Sequence, residues 1–366
     1  MAQGVDKILS LLLEDEVSDI HFKVGSPPIV RRSGSIEHAG SYGDLTQQHL
    51  DRIAREMMPE KQLPRYEAGE EIDISHSLPG KARFRVNIYH QRGTTAIVMR
   101  RIPYEIPQIE DLGLPPVVEK IARQQRGLVL VTGATGSGKS TTLAAIIDRI
   151  NKNRSAHIVT IEDPIEFIHR DRKSSICQRE VGIDTPDWRS ALRSVFRQDP
   201  DVILIGEMRD RETASVAITG AETGHLVLST LHTTDAPETV NRLIDMFRAD
   251  QQNQVRIQVG GLLKAVISQR LLPAASGDER VLAAEVMVHT AFMQSCISDP
   301  AKTHQIHDAM EQSGSQYGMQ TFDMALIKLL KENKIDTETA LAAATNPNAL
   351  QLKLEGVQST SEWRER

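Results

Sequence analysis

Residues 129–147 read "VLVTGATGSGKSTTLAAII", an apolar run, a glycine-rich turn, a lysine with hydroxyl residues, and a second apolar run. The segment 133–140 fits the phosphate-loop pattern GxxxxGK[ST], between a predicted strand and a predicted helix. Its glycines let backbone N–H groups face phosphate oxygens, and the start of the helix adds partial positive charge. The stretch therefore predicts an α/β fold that holds a nucleoside triphosphate with magnesium.

Individual residues of this loop have predicted parts. Lys139 is expected to reach the β and γ phosphates, and Ser140 to ligate Mg²⁺. A glycine-rich turn without a ligand is the alternative, and the strand–loop–helix context argues against it. The predicted nucleotide-binding residues are Gly133, Ala134, Thr135, Gly136, Ser137, Gly138, Lys139, Ser140 and Thr141.

A phosphate-loop hydrolase also needs a carboxylate on a neighbouring strand to hold the metal ion. The run "DPDVILIGEMRD" (199–210) predicts a buried strand whose carboxyl end delivers Glu207, at the edge where open α/β sheets bind ligands. Asp201 precedes that strand and lies at the wrong end. Glu207 is therefore the predicted metal ligand, and the alternative is a carboxylate that only caps a loop.

A second acidic cluster follows the predicted strand in "HIVTIEDPIEFIH" (157–169). Glu162, Asp163 and Glu166 concentrate negative charge there, which requires compensation by a metal ion, an arginine or water. We expect one of the three to handle the attacking water. Spacing alone does not choose among them, and each could instead be an ion-pair partner.

Composition excludes several classes of protein. The chain has 366 residues, a formal net charge of −6 and no basic stretch with interleaved aromatic residues, so no nucleic-acid partner is expected. Cys177 and Cys296 stand far apart, which argues against a disulfide framework and a thiolate zinc site. The amino-terminal apolar stretch is too short for a signal peptide, and no run is long enough to span a bilayer. A cytoplasmic protein is expected.

Two domains are predicted. Residues 1–102 combine an amphipathic helix, a strand through Ile20 and Phe22, a strand around Ile29, a helix near 46–58, and two further strands, "EIDISHSL" and "ARFRVNIYHQRGTTAIVMRRI". The proline-interrupted residues 103–116 are predicted to be a linker. From 117 to 366, helices alternate with continuous apolar runs, a pattern typical of a parallel sheet covered on both faces.

Four segments together carry a family resemblance: "GATGSGKS", "IVTIEDPIEFIH", "VILIGEMRD" and "AETGHLVLSTLHTTDAPETVNRLIDMF". They resemble the Walker A, Asp box, Walker B and His box of the secretion ATPase superfamily, most closely the type IV pilus retraction ATPases of the PilT and PilU kind. The likeness includes "VSDIHF" and "PPIVRRSG" near the start and "GMQTFDMAL" near the end. It therefore extends over nearly the whole chain.

The resemblance implies roles for particular residues. Glu166 resembles the Asp-box general base, and Glu207 the Walker B carboxylate, so that Lys139, Glu166 and Glu207 are the expected catalytic set. His225, His232 and Arg242 resemble His-box positions that sense the γ-phosphate and line the subunit interface. Without the resemblance, a histidine beside a strand is more often a hydrogen-bonded structural group.

The resemblance also implies an architecture. It predicts a PAS-like α/β amino-terminal domain and a RecA-like carboxyl-terminal domain, with ATP between them and six chains in a ring. Arginines of the amino-terminal domain are expected to complete the site in trans, and we favour Arg85 and Arg100 among those in residues 83–101. The alternative for these arginines is a solvated sheet face.

The implied function is an ATP-driven motor of pilus retraction and twitching motility that acts on a platform protein, with peripheral contact to the inner membrane. The two cysteines cannot form the four-cysteine zinc element of assembly-type relatives, which favours retraction. The segment "HTAFMQSCISDPAKTHQI" (289–306) departs from the AIRNLIRE-like motif of retraction motors. It therefore leaves an alternative, an accessory nucleotide-binding subunit that assists a paralogous retraction ATPase. A nucleic-acid ATPase and a small-molecule phosphotransferase are the less favoured readings.

Overall fold

The structure is a computed structural model that describes residues 4–13, 17–32, 34–39, 42–102, 105–277 and 279–355, without the side chain of Ser315. The described chain divides into two compact units. The first comprises the described residues up to Glu105 together with Glu166–Ile168, and the second comprises 106–165 and the described residues from His169 onward. Residues 103 and 104, where the predicted linker begins, lie outside the described residues.

The first unit is built on one antiparallel sheet with the order β3-β2-β1-β6-β5-β4. Its strands are β1 (Val17–Phe22), β2 (Ile29–Arg32), β3 (Ser35–His38), β4 (Ile72–Leu78), β5 (Ala82–Gln91) and β6 (Thr94–Ile102). Its helices are α1 (Val5–Leu12), α2 (Gln47–Met57) and α3 (Leu63–Glu67), with a 3₁₀ turn at Glu60–Gln62.

Apolar alternation explains the layers of this unit. Buried residues alternate with more exposed ones along β5, as expected for a half-buried strand. The buried side chains of the sheet pack with those of α1 and α2 in one hydrophobic core. Thr46 caps α2 by accepting from the His49 N–H, with a reciprocal bond from the Thr46 N–H to the His49 ring. The opposite sheet face carries polar side chains.

The single strand predicted over residues 82–102 is wrong, because the structure contains a hairpin there. Gln91 pairs with Thr94, so that Arg92 and Gly93 form a two-residue turn between β5 and β6. Their φ angles are 51° and 75°, the positive values that a tight hairpin turn requires. Strand β3 was not predicted either, since Ile36 is the single apolar residue among its four and gives no alternation.

The second unit contains seven strands and twelve helices among its described residues. The strands are β7 (Gly127–Gly133), β8 (His157–Glu162), β9 (Ser175–Glu180), β10 (Val202–Ile205), β11 (Leu226–Leu231), β12 (Leu263–Pro273) and β13 (Arg280–Val288). The helices are α4 (Val117–Ala122), α5 (Lys139–Asn153), α6 (Trp188–Val195), α7 (Arg211–Glu222), α8 (Ala236–Asp245), α9 (Ala249–Leu262), α10 (Ala291–Ser298), α11 (Ile306–Gln312), α12 (Gly314–Tyr317), α13 (Phe322–Lys331), α14 (Thr337–Ala343) and α15 (Pro347–Leu354). A 3₁₀ segment spans Pro300–Gln305.

The sheet of the second unit has the order β13-β12-β7-β11-β10-β8-β9. All neighbouring pairs are parallel except β12–β13, which is antiparallel. The four predicted apolar runs form β7, β8, β10 and β11, which confirms the parallel sheet. Strands β9, β12 and β13 were not predicted.

Helices cover both faces of this sheet. One apolar core joins α4 and α5 to one face, and another joins α6 to α10 to the other face. The carboxyl-terminal helices α13 to α15 form a smaller core with Leu272 and Ala283 of the β12–β13 hairpin. Among the described residues, none of the helices combines the length and the apolar character that crossing a membrane requires.

Candidate nucleotide-binding site

Four parallel strands end at the same edge of the second sheet. Because β7, β11, β10 and β8 are neighbours in that order, the residues that follow them converge. The phosphate loop follows β7, the acidic cluster follows β8, Glu207 follows β10, and His232 follows β11. We call this the carboxyl edge, and it gathers the main elements of the predicted site.

The backbone of the phosphate loop requires its glycines. Gly136 and Gly138 have φ angles of 79° and 88°, and Gly138 is the residue before the first turn of α5. A Cβ atom on Gly133 would overlap the carbonyl oxygen of Gln269 and the hydroxyl of Ser137. The loop therefore packs closely on β12 while Ala134, Thr135 and Gly136 remain exposed.

Lys139 lies across this loop. Its Nζ donates to the carbonyl oxygens of Gly133 and Ala134, each at 2.9 Å. The ammonium group is thereby placed at the mouth of the loop, beside the start of the fifteen-residue helix α5. A lysine ammonium group beside a helix amino terminus is an arrangement that favours anions. Ser140 and Thr141 follow in the first turn of α5 and are half-buried.

Strand β12 supports the loop from below through residues that the sequence did not single out. Gln269 Nε2 donates to Thr142 Oγ1 at 2.7 Å, and Thr132 Oγ1 donates to Ser268 Oγ at 2.9 Å. Within the described parts of the chain, Gln269 Oε1 and Ser137 Oγ are buried without a hydrogen-bond partner. Because the partners Thr132 and Thr142 are distant along the chain from Ser268 and Gln269, the sequence carries no signal that could have identified this support.

Glu207 and His232 are brought together. His232 Nε2 lies 3.0 Å from Glu207 Oε1, and Arg209 Nε lies 2.9 Å from Glu207 Oε2. The chain that follows β10 is held against β11, because the Met208 N–H donates to the Thr230 carbonyl oxygen. Asp201 lies before β10 and accepts from the His157 N–H, away from the carboxyl edge.

His225 is not part of this group. It precedes β11 whereas His232 follows it, so that about 20 Å of strand separates them. Its Nδ1 lies 3.0 Å from the Gly220 carbonyl oxygen and its ring packs against Phe196. His225 therefore lies away from the carboxyl edge, and its expected part in γ-phosphate sensing or at a subunit interface stays a prediction. Arg242 lies exposed in the last turn of α8, and its place at a subunit interface stays a prediction.

The three acidic residues after β8 differ in their surroundings. Glu162 Oε1 accepts from Thr160 at 2.6 Å and from Gln178 at 3.2 Å, whereas Asp163 and Glu166 are exposed. The neighbours of Glu166 are anchored, because Ile165 is buried and the His169 N–H donates to Gln178 Oε1 at 2.8 Å. Glu166 is thus an exposed carboxylate on a held backbone.

Asn151 and His169 hold this acidic segment. Asn151, near the end of α5, donates to the Arg170 carbonyl and accepts from the Arg172 N–H through its side chain. Burial lowers the pKa of His169 to about 4, against the charge of Asp148, which acts to raise it. His169 is therefore neutral at physiological pH, and the segment is joined to the helix that begins at the phosphate loop.

Arg85 and Arg100 lie directly opposite each other on β5 and β6 of the first unit. Arg100, whose side chain is 75% exposed, donates from Nε to Asp19 Oδ1 at 2.8 Å. Burial acts to raise the pKa of Asp19, but the hydrogen bonds from Arg100 and Ser18 and the charge of Arg100 outweigh it and lower that pKa. The two guanidinium groups thus share the polar sheet face, and their action in trans stays a prediction.

The residues at the carboxyl edge fit a nucleotide with magnesium. Across the described ranges, no group of three or more His, Cys, Asp and Glu side chains forms a metal site by itself. Mg²⁺ is commonly held by one or two carboxylates together with substrate phosphates, so Ser140 and Glu207 suffice as protein ligands. The close packing at Gly133 and the exposed loop amides match a phosphate cradle.

Comparison with known proteins gives a consistent picture. A family model described as "Type II/IV secretion system protein" matches residues 2–333. The chain is 42% identical over 343 residues to "Type IV pilus retractation ATPase PilT" of Pseudomonas aeruginosa, which covers 94% of this chain and 98% of that protein. It is 40% identical over 349 residues to "Type IV pilus ATPase PilU" of the same organism, with coverage of 95% and 91%.

The fold is also similar to a solved structure described as "Crystal Structure of the Pilus Retraction Motor PilT and Bound ADP". The TM-score is 0.88 at 42% sequence identity, and the match covers 95% of this chain and 99% of the other. The likeness therefore includes both compact units.

Proposed function

The chain belongs to the type II/IV secretion system protein family, and from that premise we propose that it is an ATPase motor that powers type IV pilus retraction. The observation that carries the proposal is the carboxyl edge, where the phosphate loop, Glu207 and His232 converge. The similarity to a pilus retraction motor with bound ADP supports it over nearly the whole chain.

We assign the phosphates of ATP to the loop and the first turn of α5. Lys139 exchanges its two carbonyl acceptors for β- and γ-phosphate oxygens, while the loop amides and the α5 amino terminus bind the remaining charge. Ser140 and Glu207 would hold Mg²⁺, which would neutralise phosphate charge when bound. Arg209 and His232 restrain the Glu207 carboxylate in that position.

Glu166 is the proposed general base. A water oxygen attacks the γ-phosphorus, the bond from that phosphorus to the bridging oxygen of ADP breaks, and Glu166 accepts the proton released by the water. Its exposure leaves room for water, and the backbone on either side of it is anchored by the buried Ile165 and by the hydrogen bond of the His169 N–H. Glu162, by contrast, already accepts two hydrogen bonds.

The proposed assembly is a homohexameric ring of two-domain chains. Residues 1–102 form the PAS-like domain, 103–116 the linker and 117–366 the RecA-like domain, and Arg85 and Arg100 stabilise transferring phosphate in trans. Hydrolysis moves one domain against the other and so acts on a platform protein at the inner membrane, where the cytoplasmic ring binds peripherally. No nucleic acid takes part.

Amide substitution of the three acidic residues tests this assignment. Glu166→Gln is expected to keep ATP binding within about twofold but to reduce turnover by at least about 100-fold, the range for loss of a general base. Glu162→Gln and Asp163→Asn are the matched controls and are expected to keep most turnover. Binding of a fluorescent ATP analogue and phosphate release give the two readouts. Full turnover by Glu166→Gln contradicts the proposed role.

An accessory subunit is the second candidate, because residues 289–306 lack the motif of retraction motors and the likeness to PilU covers 95% of the chain. That segment forms α10 and the following 3₁₀ turn, with Phe292 exposed. Co-purification with a paralogous retraction ATPase, combined with negligible turnover of the purified chain, supports this candidate. Robust turnover by the chain alone counts against it.

A further inference from the structure

Glu285 on β13 is a buried carboxylate that the catalytic proposal does not use. Only 1% of its surface is exposed. Its Oε1 accepts from the Ala236 N–H at 2.8 Å, and its carboxylate also accepts from the Phe322 N–H. Ala236 and Phe322 are the first residues of α8 and α13. One side chain therefore binds the starts of two helices.

The first of these helices begins directly after the loop that carries His232. Three local contacts make that loop compact: Thr233 Oγ1 lies 2.6 Å from Thr239 Oγ1, the Thr234 N–H donates to Glu238, and Asp235 caps α8. Because of these contacts, we expect the loop and the first turn of α8 to move together. The bond from Ala236 to Glu285 then fixes this compact loop to the sheet.

The second helix belongs to the carboxyl-terminal helices. Arg270 of β12 stacks 3.8 Å from the centre of the Phe322 ring and donates to the Ala343 carbonyl oxygen. Gln269, the preceding residue, bonds Thr142 in the helix of the phosphate loop. Adjacent residues of β12 thus contact the nucleotide site on one side and the carboxyl-terminal helices on the other.

Two charged groups act on Glu285, Asp235 at the N-cap of α8 and Arg270 of β12, and Asp323 of α13 acts in turn on Arg270. Burial, reinforced by Asp235, raises the pKa of Glu285 to about 7 against the two amide hydrogen bonds and Arg270. An apolar residue in this place would avoid the cost of burying a carboxyl group but would leave both amides without this acceptor.

We propose that Glu285 is a positioning residue for ATP hydrolysis: it holds the loop that presents His232 to Glu207 and joins that loop to the carboxyl-terminal helices. This inference rests on the proposed ATPase function. The chain runs from β11 through His232 directly into α8. Loosening the start of α8 is therefore expected to displace His232 from Glu207 while the phosphate loop stays in place.

Hydrogen–deuterium exchange tests the structural half of the proposal without nucleotide. In Glu285→Gln, the amides of Ala236 and Phe322 are expected to exchange about tenfold faster, the change that follows from weakening a hydrogen bond to a charged group. The control is Glu279→Gln, an exposed residue at the end of the same hairpin, with no change at either amide. If Glu285→Gln does not fold, Glu285→Asp replaces it, because a shorter carboxylate reaches only one of the two amides. Unchanged exchange at both amides overturns the proposal.

Steady-state turnover tests the functional half. Glu285→Gln is expected to lower kcat about tenfold while KM for ATP stays within about twofold, since the phosphate loop is unaltered. The wild type is further expected to lose kcat as the pH falls through about 7, because protonation of Glu285 weakens its two amide hydrogen bonds, and this inflection is expected to be absent in Glu285→Gln. Equal kcat in variant and wild type, despite faster exchange, overturns the positioning role. Absence of turnover in the wild type counts against the ATPase function alone, because the exchange measurement stands without it.

Discussion

His225 and His232 stand at the two ends of one strand, β11, and their surroundings differ completely. His225 lies 3.0 Å from the Gly220 carbonyl oxygen and also contacts Thr223 and Phe196, all close by along or beside its own helix–strand connection. The side chain of His232 is 48% exposed and lies 3.0 Å from Glu207, which follows a different strand. Residue type and sequence context are similar, but His225 bonds a backbone carbonyl of its own connection, whereas His232 contacts the proposed metal ligand Glu207.

The difference teaches that, in this unit, the end of a parallel strand at which a residue lies determines which partners it can reach. In the central group β7, β11, β10 and β8, the residues to which we assign a function follow the last residues of the strands, at the carboxyl edge. At the amino ends of these strands, Asp201 and His225 accept or donate local hydrogen bonds that hold connections together. We therefore assign catalysis to the carboxyl edge and a structural role to the amino edge.

The largest expected effect comes from the two ends of α5. Lys139→Ala is expected to reduce ATP turnover by at least about 100-fold, because the charge that stabilises the phosphates is removed. Lys152→Ala, at the far end of the helix where Lys152 pairs with Asp148, is the matched control and is expected to change turnover by less than about twofold. Phosphate release measures both. Equal losses of turnover in the two variants would contradict the assignment of catalysis to the carboxyl edge.

A third histidine gives the next effect, on stability and its pH dependence. The pKa of His169 is about 4 in the folded chain, below its ordinary value of 6.5, because burial disfavours the imidazolium. The unfolded chain therefore binds more protons between these values, and the stability that neutral His169 provides is full above about pH 6.5 and falls as the pH drops towards 4. The limit of this loss is about 3 kcal/mol at about 1.4 kcal/mol per pKa unit.

Protonation of Glu285 changes the stability of the fold in the opposite direction, over an overlapping pH range. Its pKa of about 7 lies above the ordinary 4.5, so its protonated form stabilises the fold below about pH 4.5 and that contribution is lost as the pH rises through 7. The wild-type curve sums both effects, and the difference between wild type and His169→Gln isolates the first. Urea unfolding between pH 4 and 7 measures it, and a pH-independent difference would contradict a neutral, buried His169.

The smallest effect tests the two histidines directly. His232→Gln is expected to lower kcat about tenfold with little change in stability, since it removes the partner of Glu207 at an exposed position. His225→Gln is expected to keep turnover within about twofold and to lower the free energy of unfolding by about 1 kcal/mol, the typical value of one hydrogen bond. Steady-state kinetics and urea unfolding separate the two. A loss of kcat in His225→Gln but not in His232→Gln would contradict this assignment and would favour a role of His225 at an interface between chains.

Much of this arrangement could be predicted from the sequence. Continuous apolar runs identify β7, β8, β10 and β11, because strands buried on both faces need no alternation. The pattern GxxxxGK[ST] identifies the loop because few other sequences give both its turn and its close approach to β12. Glu207 follows from strand direction alone, and the same reasoning could have separated His225 from His232.

Other parts could not be predicted for identifiable physical reasons. Strand β12 contains Ser268, Gln269 and Arg270 in succession, so it does not read as a buried strand. Ser268 and Gln269 are buried and Arg270 is half-buried, because Thr132, Thr142 and the Phe322 ring, all distant along the chain, supply their partners. The β5–β6 turn lacks an Asn-Gly or Asp-Gly pair and uses Arg92 at positive φ. Glu285 acquires its significance only from two helix starts that tertiary packing brings together.

The measurement that tests the central claim most directly is the ATP hydrolysis rate per chain as a function of protein concentration, for the wild type and Glu166→Gln. If residues at the carboxyl edge hydrolyse ATP and neighbouring chains complete the site, the rate per chain rises with protein concentration to a plateau. In Glu166→Gln the rate vanishes. A rate that is zero at every concentration while ATP is bound, or one that Glu166→Gln leaves intact, would contradict the account.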